Sequence, residues 1–383
     1  MVAFFIFGGK MDRSIAIMGA GLGLCVLVFI FTVAAQAGAT QKITDAAGKI
    51  VVLPDKVDHI ICSGSGCLRL VTYLGAQNLV VGVDDIERRN NRFDARPYAL
   101  ANPQFKTLPV FGGFRGRDIP EKILGLPVLP QVIFKIHGVA GDDPGKLSRK
   151  TGIPVVTLKY GDLVHSRQDF YNALTILGQA LDRQARAQEV IHFFDAEIQA
   201  LEDRTRNVPG AEKKTCFVGG IAFKGPHGFQ STEPRYPPFE FVNARNIARP
   251  ADHGTAPGQS NFSREKILTL DPRVLFLDLS TLQMGSDQGG LYELQKDPVY
   301  QGLSAVKAGA VFGVLPYNWY AQNFGSILAD SWFIGKILYP EQFTDIEPEQ
   351  KADEIYTFLL SKPVFQRMNQ SFDQKVFKRI NLN

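Results

Sequence analysis

Glu121-Lys122-Ile123-Leu124 recurs as Glu265-Lys266-Ile267-Leu268 in the other half of the chain. Each copy is followed by proline and then by an apolar run rich in β-branched and aromatic residues, Gln131-Val132-Ile133-Phe134 in one half and Arg273-Val274-Leu275-Phe276 in the other. A short amphipathic helix leading into a buried strand is half of the repeating unit of an open α/β sheet. Its repetition predicts two lobes of similar construction, each presenting one acidic side chain at the matching place.

The 383 residues are enough for two such lobes with a sizeable core. With 42 Lys and Arg against 38 Asp and Glu, and no block of either sign, the charge pattern argues against nucleic acid as a partner. Lys10 and Arg13 precede an apolar stretch over residues 15–33, which ends in Ala35-Gln36-Ala37 and Ala37-Gly38-Ala39. That order predicts a cleavable secretory signal peptide over residues 1–39 and a periplasmic protein, with Met11 an alternative start to Met1. The run is long enough for an uncleaved anchor to be the competing reading. Leu24 is too large to precede a lipidated Cys25, so a lipoprotein is disfavoured. Export would leave Cys62, Cys67 and Cys216 in an oxidising compartment, where an odd count leaves at least one thiol unpaired. Cys62 and Cys67 are near enough for a local disulfide, which the sequence does not decide.

From residue 43 to about 165 the pattern repeats strand, turn and helix, with strands expected at 57–62, 79–83, 132–136 and 155–158 and a helix at 120–124 with proline in its first turn. A helical region follows over residues 166–208. Gly178 should interrupt it, and Asp182 should cap a second, long helix over residues 183–206, about 35 Å in length. A second α/β lobe is expected over residues 214–340, with strands at 215–219, 274–279 and 310–314, and a helical extension over residues 341–383. The fold class is therefore α/β: two Rossmann-like lobes with mainly parallel sheets, bridged by a single long α-helix.

Open α/β sheets bind ligands beyond the carboxyl ends of their strands. That rule nominates Ser65, Cys67, Phe114, Arg115, Arg117, His137 and Tyr160 in the first lobe. In the second it nominates His227, Tyr236, Tyr317, Trp319 and Tyr320. Arginines and aromatics dominate, a chemistry for a bulky, partly aromatic, negatively charged guest. A bare transition metal would call for converging imidazoles and carboxylates, yet only His137 and His227 of six histidines fall at strand ends. The turn Ser63-Gly64-Ser65-Gly66-Cys67 departs from Gly-x-Ser-x-Gly, and the chain has neither a Gly-Lys-Ser/Thr phosphate loop nor His-Glu-x-x-His. No catalytic constellation and no cofactor are expected, although a hydrolase using the turn 63–67 and a free-metal carrier stand as alternatives.

Further segments carry a family likeness. Ile43-Thr44-Asp45-Ala46-Ala47-Gly48-Lys49, Tyr73-Leu74-Gly75-Ala76, Val81-Gly82-Val83-Asp84, Gly152-Ile153-Pro154-Val155-Val156, Asn246-Ile247-Ala248, Asp271-Pro272 and Tyr339-Pro340-Glu341 follow one another in a familiar order. In that order the chain resembles the substrate-binding proteins of ABC importers for iron chelates and cobalamin, the class whose lobes are joined by one long helix. The resemblance implies a monomer that captures a ferric siderophore or a tetrapyrrole- or corrinoid-like chelate between its lobes. It also implies delivery to an ABC permease and its ATPase, with Glu121 and Glu265 pairing with permease arginines. The chain departs from the family at Leu126-Pro127-Val128-Leu129-Pro130-Gln131, where Leu-x-Pro-Asp is usual, and in a distinctive loop over residues 225–232.

Overall fold

A computed structural model describes residues 39–136, 141–250 and 258–382. The leader reading, Cys25, His137 and His253 lie outside the described residues.

An antiparallel hairpin, β1 (Thr40–Thr44) with β2 (Ile50–Pro54), precedes the first sheet. That sheet contains β3 (Ile60–Ser63), β4 (Val80–Asp84), β5 (Val110–Gly113), β6 (Arg117–Asp118), β7 (Val132–Ile136) and β8 (Val155–Leu158). Its order is β6-β5-β4-β3-β7-β8, parallel except for β6. The runs Ile60-Ile61-Cys62-Ser63 and Val155-Val156-Thr157-Leu158 are buried along their whole length, which is why they read as continuous apolar strands rather than alternating ones. One face of this sheet joins the main core. The other covers a smaller cluster that includes Ile61, Phe111, Ile123 and Ile133.

The second lobe holds β9 (Thr215–Gly219), β10 (Ser231–Thr232), β11 (Arg245–Asn246), β12 (Ser260–Asn261), β13 (Val274–Asp278) and β14 (Val311–Val314). Four of them form a parallel sheet in the order β11-β9-β13-β14, while β10 and β12 pair as an antiparallel ribbon.

Between the sheets runs the helix Gln184–Thr205, whose 22 residues span about 33 Å. Ala187, Val190, Phe194, Ile198 and Leu201 form its buried stripe. Two details before it differ from expectation. Gly178 does not break the preceding helix, which runs unbroken as Arg167–Ala180. A Cβ at Gly178 would lie 2.9 Å from that of Ala187, so this glycine lets two helices approach closely. Asp182 does not cap the long helix either: it links the two helices in a left-handed conformation, φ 54°, and Arg183 stands at the N-cap with no side-chain capping bond.

The C-terminal helices Pro348–Leu360 and Phe365–Ser371 form a second brace. Lys362 and Arg367 donate to the carbonyls of Ala101 and Leu100 in the first lobe, each at 2.7 Å. Beyond them, Val376 and Arg379 bridge to Gly313 and Phe312 on β14 of the second. One continuous hydrophobic core accordingly runs through both lobes, the long helix and the C-terminal helices.

The repeated segment folds the same way twice. It starts the helix Pro120–Leu124 and lies within the helix Arg264–Leu270, which Ser263 caps by accepting from the Lys266 amide. In both copies Ile123 and Ile267 are fully buried, while Glu121, Lys122 and Leu124, and Glu265, Lys266 and Leu268, are exposed.

Candidate functional site

The carboxyl ends of β3, β4 and β5 face those of β9 and β14 across a cavity of about 580 Å³. The first lobe contributes Ser65 after β3, Ile86, Arg89 and Asn91 after β4, and Phe114 with Arg115 after β5. The second lobe contributes the segment Ala222-Phe223-Lys224-Gly225 after β9 and Asn318-Trp319-Tyr320-Ala321 after β14. An open hollow of about 710 Å³ elsewhere is lined from the second lobe alone, by residues 210–250, and draws on no such convergence of strand ends.

The turn that carries Ser65 is built from below. Cys62 and Cys67 are joined in a disulfide, which closes the turn at its base. Gly66 adopts φ 86°, and a Cβ there would fall 2.2 Å from the Tyr160 ring, so no other residue fits without displacing that ring. Beneath the turn lies a buried ionic knot. Ser63 donates to Asp118 Oδ1 at 2.6 Å, and Lys135 pairs with Asp118 Oδ2 while donating to Ser63 Oγ at 3.2 Å and to the carbonyl of Gly116 at 3.0 Å. Burial pushes the Asp118 carboxyl above its usual range and Lys135 pulls it back. The knot ties β3, β6 and β7 to the Arg115-Gly116 turn. Replacing Lys135 by Met is expected to cost about 3–5 kcal/mol in urea unfolding, because it strands a buried carboxylate. An unchanged unfolding midpoint would refute that role.

Cations and aromatics set the character of the cavity. The Phe114 ring lies between Arg89, 4.7 Å from its centroid, and Arg115, at 5.1 Å. Asp85 holds this group together: it pairs with Arg89 at 2.7 Å and accepts from the Phe114 amide at 2.8 Å. Arg115 and Lys224 stand on opposite walls, and among the described residues neither has a carboxylate partner. Four lining residues, Arg115, Lys224, Tyr320 and Ala321, occupy left-handed backbone with φ of 64°, 57°, 50° and 65°. Such conformations are costly for residues with a Cβ and gather where a site must be held in shape.

Five residues nominated from strand ends line the cavity: Ser65, Phe114, Arg115, Trp319 and Tyr320. The others do not. Cys67 is in the disulfide and has no exposed surface. Tyr236 and Tyr317 are buried in the second lobe, packed ring against ring at 5.7 Å, with the Tyr317 hydroxyl turned to Glu233. Tyr160 lies under the cavity, stacked 4.9 Å from Phe324, and donates to the Gln322 carbonyl at 2.6 Å. Arg117 is exposed on β6, outside the lining. His227 stands behind the wall, its Nε2 2.8 Å from the carbonyl of Phe223, so it positions the residue that lines the cavity. Arg89, Asn91, Phe223 and Lys224 were missed. The same strand-end rule, carried through for β4 and the first residues after β9, would have found them.

Among the described residues no group of three or more His, Cys, Asp or Glu is placed to hold a metal ion. No helix among them is long and apolar enough to cross a membrane.

The buried acids dictate a pH dependence. Burial, reinforced by Glu87, pushes Asp84 up to about 7; burial, with a further push from Glu233 and against the hydrogen bonds from Ser280, does the same to Asp278, and burial reinforced by Asp278 drives Asp330 well above the usual range. Each binds its proton more tightly folded than unfolded, where Asp titrates near about 4. For Asp84 and Asp278 that stabilising contribution is complete below about pH 4 and is lost as pH rises through about 7, and Asp330 acts in the same direction. Asp345, held down to about 2 by Arg204, works in the opposite sense: its contribution is lost as pH falls through about 2. The melting temperature is expected to fall by several degrees between about pH 5 and pH 8. D278N should flatten part of that slope in a thermal-shift series, since an amide oxygen can still accept from the Ser280 amide. A melting temperature that rises over this range would contradict the assignment.

The sequence profile of a family described as periplasmic binding protein matches residues 60–316. The molybdate-binding protein MolA of Haemophilus influenzae is 20% identical over 358 residues, spanning 87% of this chain and 94% of that protein. A periplasmic solute binding protein from Veillonella parvula superposes with a TM-score of 0.67 at 18% identity, over 87% of this chain and 97% of the other. The periplasmic heme binding protein HutB of Vibrio cholerae gives a TM-score of 0.53 at 19% identity, over 74% and 99% of the two chains. These structural likenesses, at such identities, concern the fold.

Proposed function

The chain belongs to the periplasmic binding protein family, and on that premise we propose that it captures an anionic metal chelate in the interlobe cavity and delivers it to an ABC importer. The observation that carries this reading is the lining itself: Arg115 and Lys224, unpartnered by any described carboxylate, face each other from opposite lobes amid Phe114, Phe223, Trp319 and Tyr320. Cations on two walls favour negative charge, and four aromatic rings favour a large, flat or aromatic body. A volume of about 580 Å³ falls in the range of sites for drug-sized organic ligands. A ferric siderophore or a tetrapyrrole- or corrinoid-like chelate has that chemistry.

Delivery would use Glu121 and Glu265 on the permease, after export by the leader over residues 1–39. Exposed apolar side chains flank both glutamates, Leu124, Val128 and Leu129 beside one and Leu268 and Leu270 beside the other, as a protein-docking face requires. In the hydrolase reading the nucleophile would be Ser65, which lines the cavity, because Ser63 is engaged by Asp118 and Lys135 and Cys67 is held in its disulfide; among the described residues no histidine is hydrogen-bonded to Ser65. A second reading, a metal oxyanion, is favoured by the similarity to a molybdate-binding protein.

Titration of the W332F variant, in which Trp319 is the remaining tryptophan, followed by its fluorescence, separates the two. The proposal expects saturable quenching by haemin, a ferric catecholate or cyanocobalamin, and none by molybdate. Saturation by molybdate alone would establish the oxyanion reading, and silence toward every probe would refute both.

A further inference from the structure

Arg69 lies in the helix Cys67–Tyr73 of the first lobe, 1% exposed, and is not among the residues lining the cavity. Its guanidinium nonetheless reaches across to the second lobe. One terminal nitrogen donates to the Gln322 carbonyl at 2.9 Å and to the Tyr160 hydroxyl. The other donates to the carbonyls of Trp319 and Tyr320, each at 3.3 Å. Among the described residues no carboxylate pairs with it. The faces of Tyr98 and Tyr160, 5.1 and 5.7 Å away, complete its surroundings.

A buried cation without a counter-ion is costly, and an apolar side chain would fill the same space without that cost. What a guanidinium alone supplies is a rigid planar fork able to satisfy several carbonyls at once. The three it satisfies bracket Tyr320 and Ala321, the two consecutive left-handed residues of the aromatic wall. Tyr160 donates to the same Gln322 carbonyl, and Asn323 Nδ2 donates to the carbonyls of Tyr317 and Trp319 at 3.0 and 3.2 Å. The Tyr320 hydroxyl, aimed by this arrangement, donates to Asp84 in the first lobe and accepts from the Arg115 amide at 3.2 Å.

We infer that Arg69 is a positioning residue: a staple from the first lobe that holds the loop of residues 319–322 in its strained shape and thereby presets the aromatic wall of the cavity. A wall set in advance spares the guest the cost of ordering it. The inference rests on the interlobe cavity being the solute site, but its primary test does not.

The chain has two tryptophans, Trp319 and Trp332, so a W332F background leaves Trp319 as the sole reporter of the wall. In that background R69K keeps the charge but not the fork, and R69M keeps neither. Both are expected to raise acrylamide quenching of Trp319 about twofold and to lower its anisotropy, with far-UV circular dichroism unchanged. For whichever chelate probe binds the parent, affinity should weaken about tenfold in both variants. Quenching and anisotropy equal to the parent in folded R69K or R69M, even with a lowered melting temperature, would overturn the inference. Should R69M fail to fold, Y160F removes only the hydroxyl that Arg69 and the Gln322 carbonyl share, and must still raise Trp319 quenching; parental quenching there overturns the inference equally. A parent that binds no probe refutes the chelate reading, and the Trp319 readout still decides for or against the staple.

Discussion

Replacing Arg115 and Lys224 together by glutamate is expected to weaken chelate capture by about a hundredfold or more while the fold persists. The two cations come from opposite walls and among the described residues have no carboxylate partners, so removing them breaks no internal salt bridge. Arg115 and Lys224 already occupy left-handed backbone, and glutamate there meets a penalty similar to that of the residue it replaces. What changes is the field inside the cavity. At an effective dielectric of about 20, a unit charge about 5 Å from an anionic group contributes about 3 kcal/mol, and reversing its sign turns that attraction into repulsion. Titration of the double variant with the best chelate probe, beside a melting curve, measures both quantities. Unchanged affinity would mean that the guest is not held by these charges, and the anionic-chelate reading would fall with it.

Reversal of Glu121 and Glu265 to lysine should act in the complementary way, abolishing uptake and leaving affinity for the chelate intact. Both carboxylates are exposed, both lie in the first turn of a short helix, and each precedes by two residues, on the opposite side of the helix, a buried isoleucine that fixes its helix to the sheet. Exposed ion pairs are individually weak, but two at a fixed separation define register, and like charges meeting across an interface are strongly disfavoured. Uptake by cells carrying the double variant is therefore expected to fall below about a tenth of the parental rate, with each single reversal intermediate. Loss of affinity in the purified double variant would show that the two glutamates serve the fold or the cavity rather than a transporter.

The sheets were legible in the sequence because a strand buried on both faces is apolar along most of its length, as at residues 132–136 apart from Lys135 and at 155–158 apart from Thr157. The helix at Pro120 was legible because proline fixes its first turn. Part of the site followed from the strand-end rule, which placed Ser65, Phe114, Arg115, Trp319 and Tyr320 on the lining. The rule says which end of the sheet a residue occupies, not which way its side chain turns. Tyr236 and Tyr317 satisfy it and still point into the second lobe.

Arg69 was illegible for a different reason. In Cys67-Leu68-Arg69-Leu70-Val71 an arginine reads as the solvated face of a helix, and only the arrival of residues 319–322 from the far end of the chain makes it interior. Lys135 hid likewise within an apolar strand, because its partner Asp118 belongs to another strand. Gly178 read as a helix breaker because its real constraint, the Cβ of Ala187, lies on the next helix. In each case the deciding contact is with another element, and the pattern within the residue's own element carries no trace of it.

Native mass spectrometry of the protein purified from its own host tests the central claim most directly, because a ligand that co-purifies reports its own mass. The account predicts an adduct with the mass and isotope pattern of a metal chelate, absent from the variant in which Arg115 and Lys224 are both glutamate. Protein that emerges bare, or that carries only a naked metal ion or a small oxyanion, would contradict it.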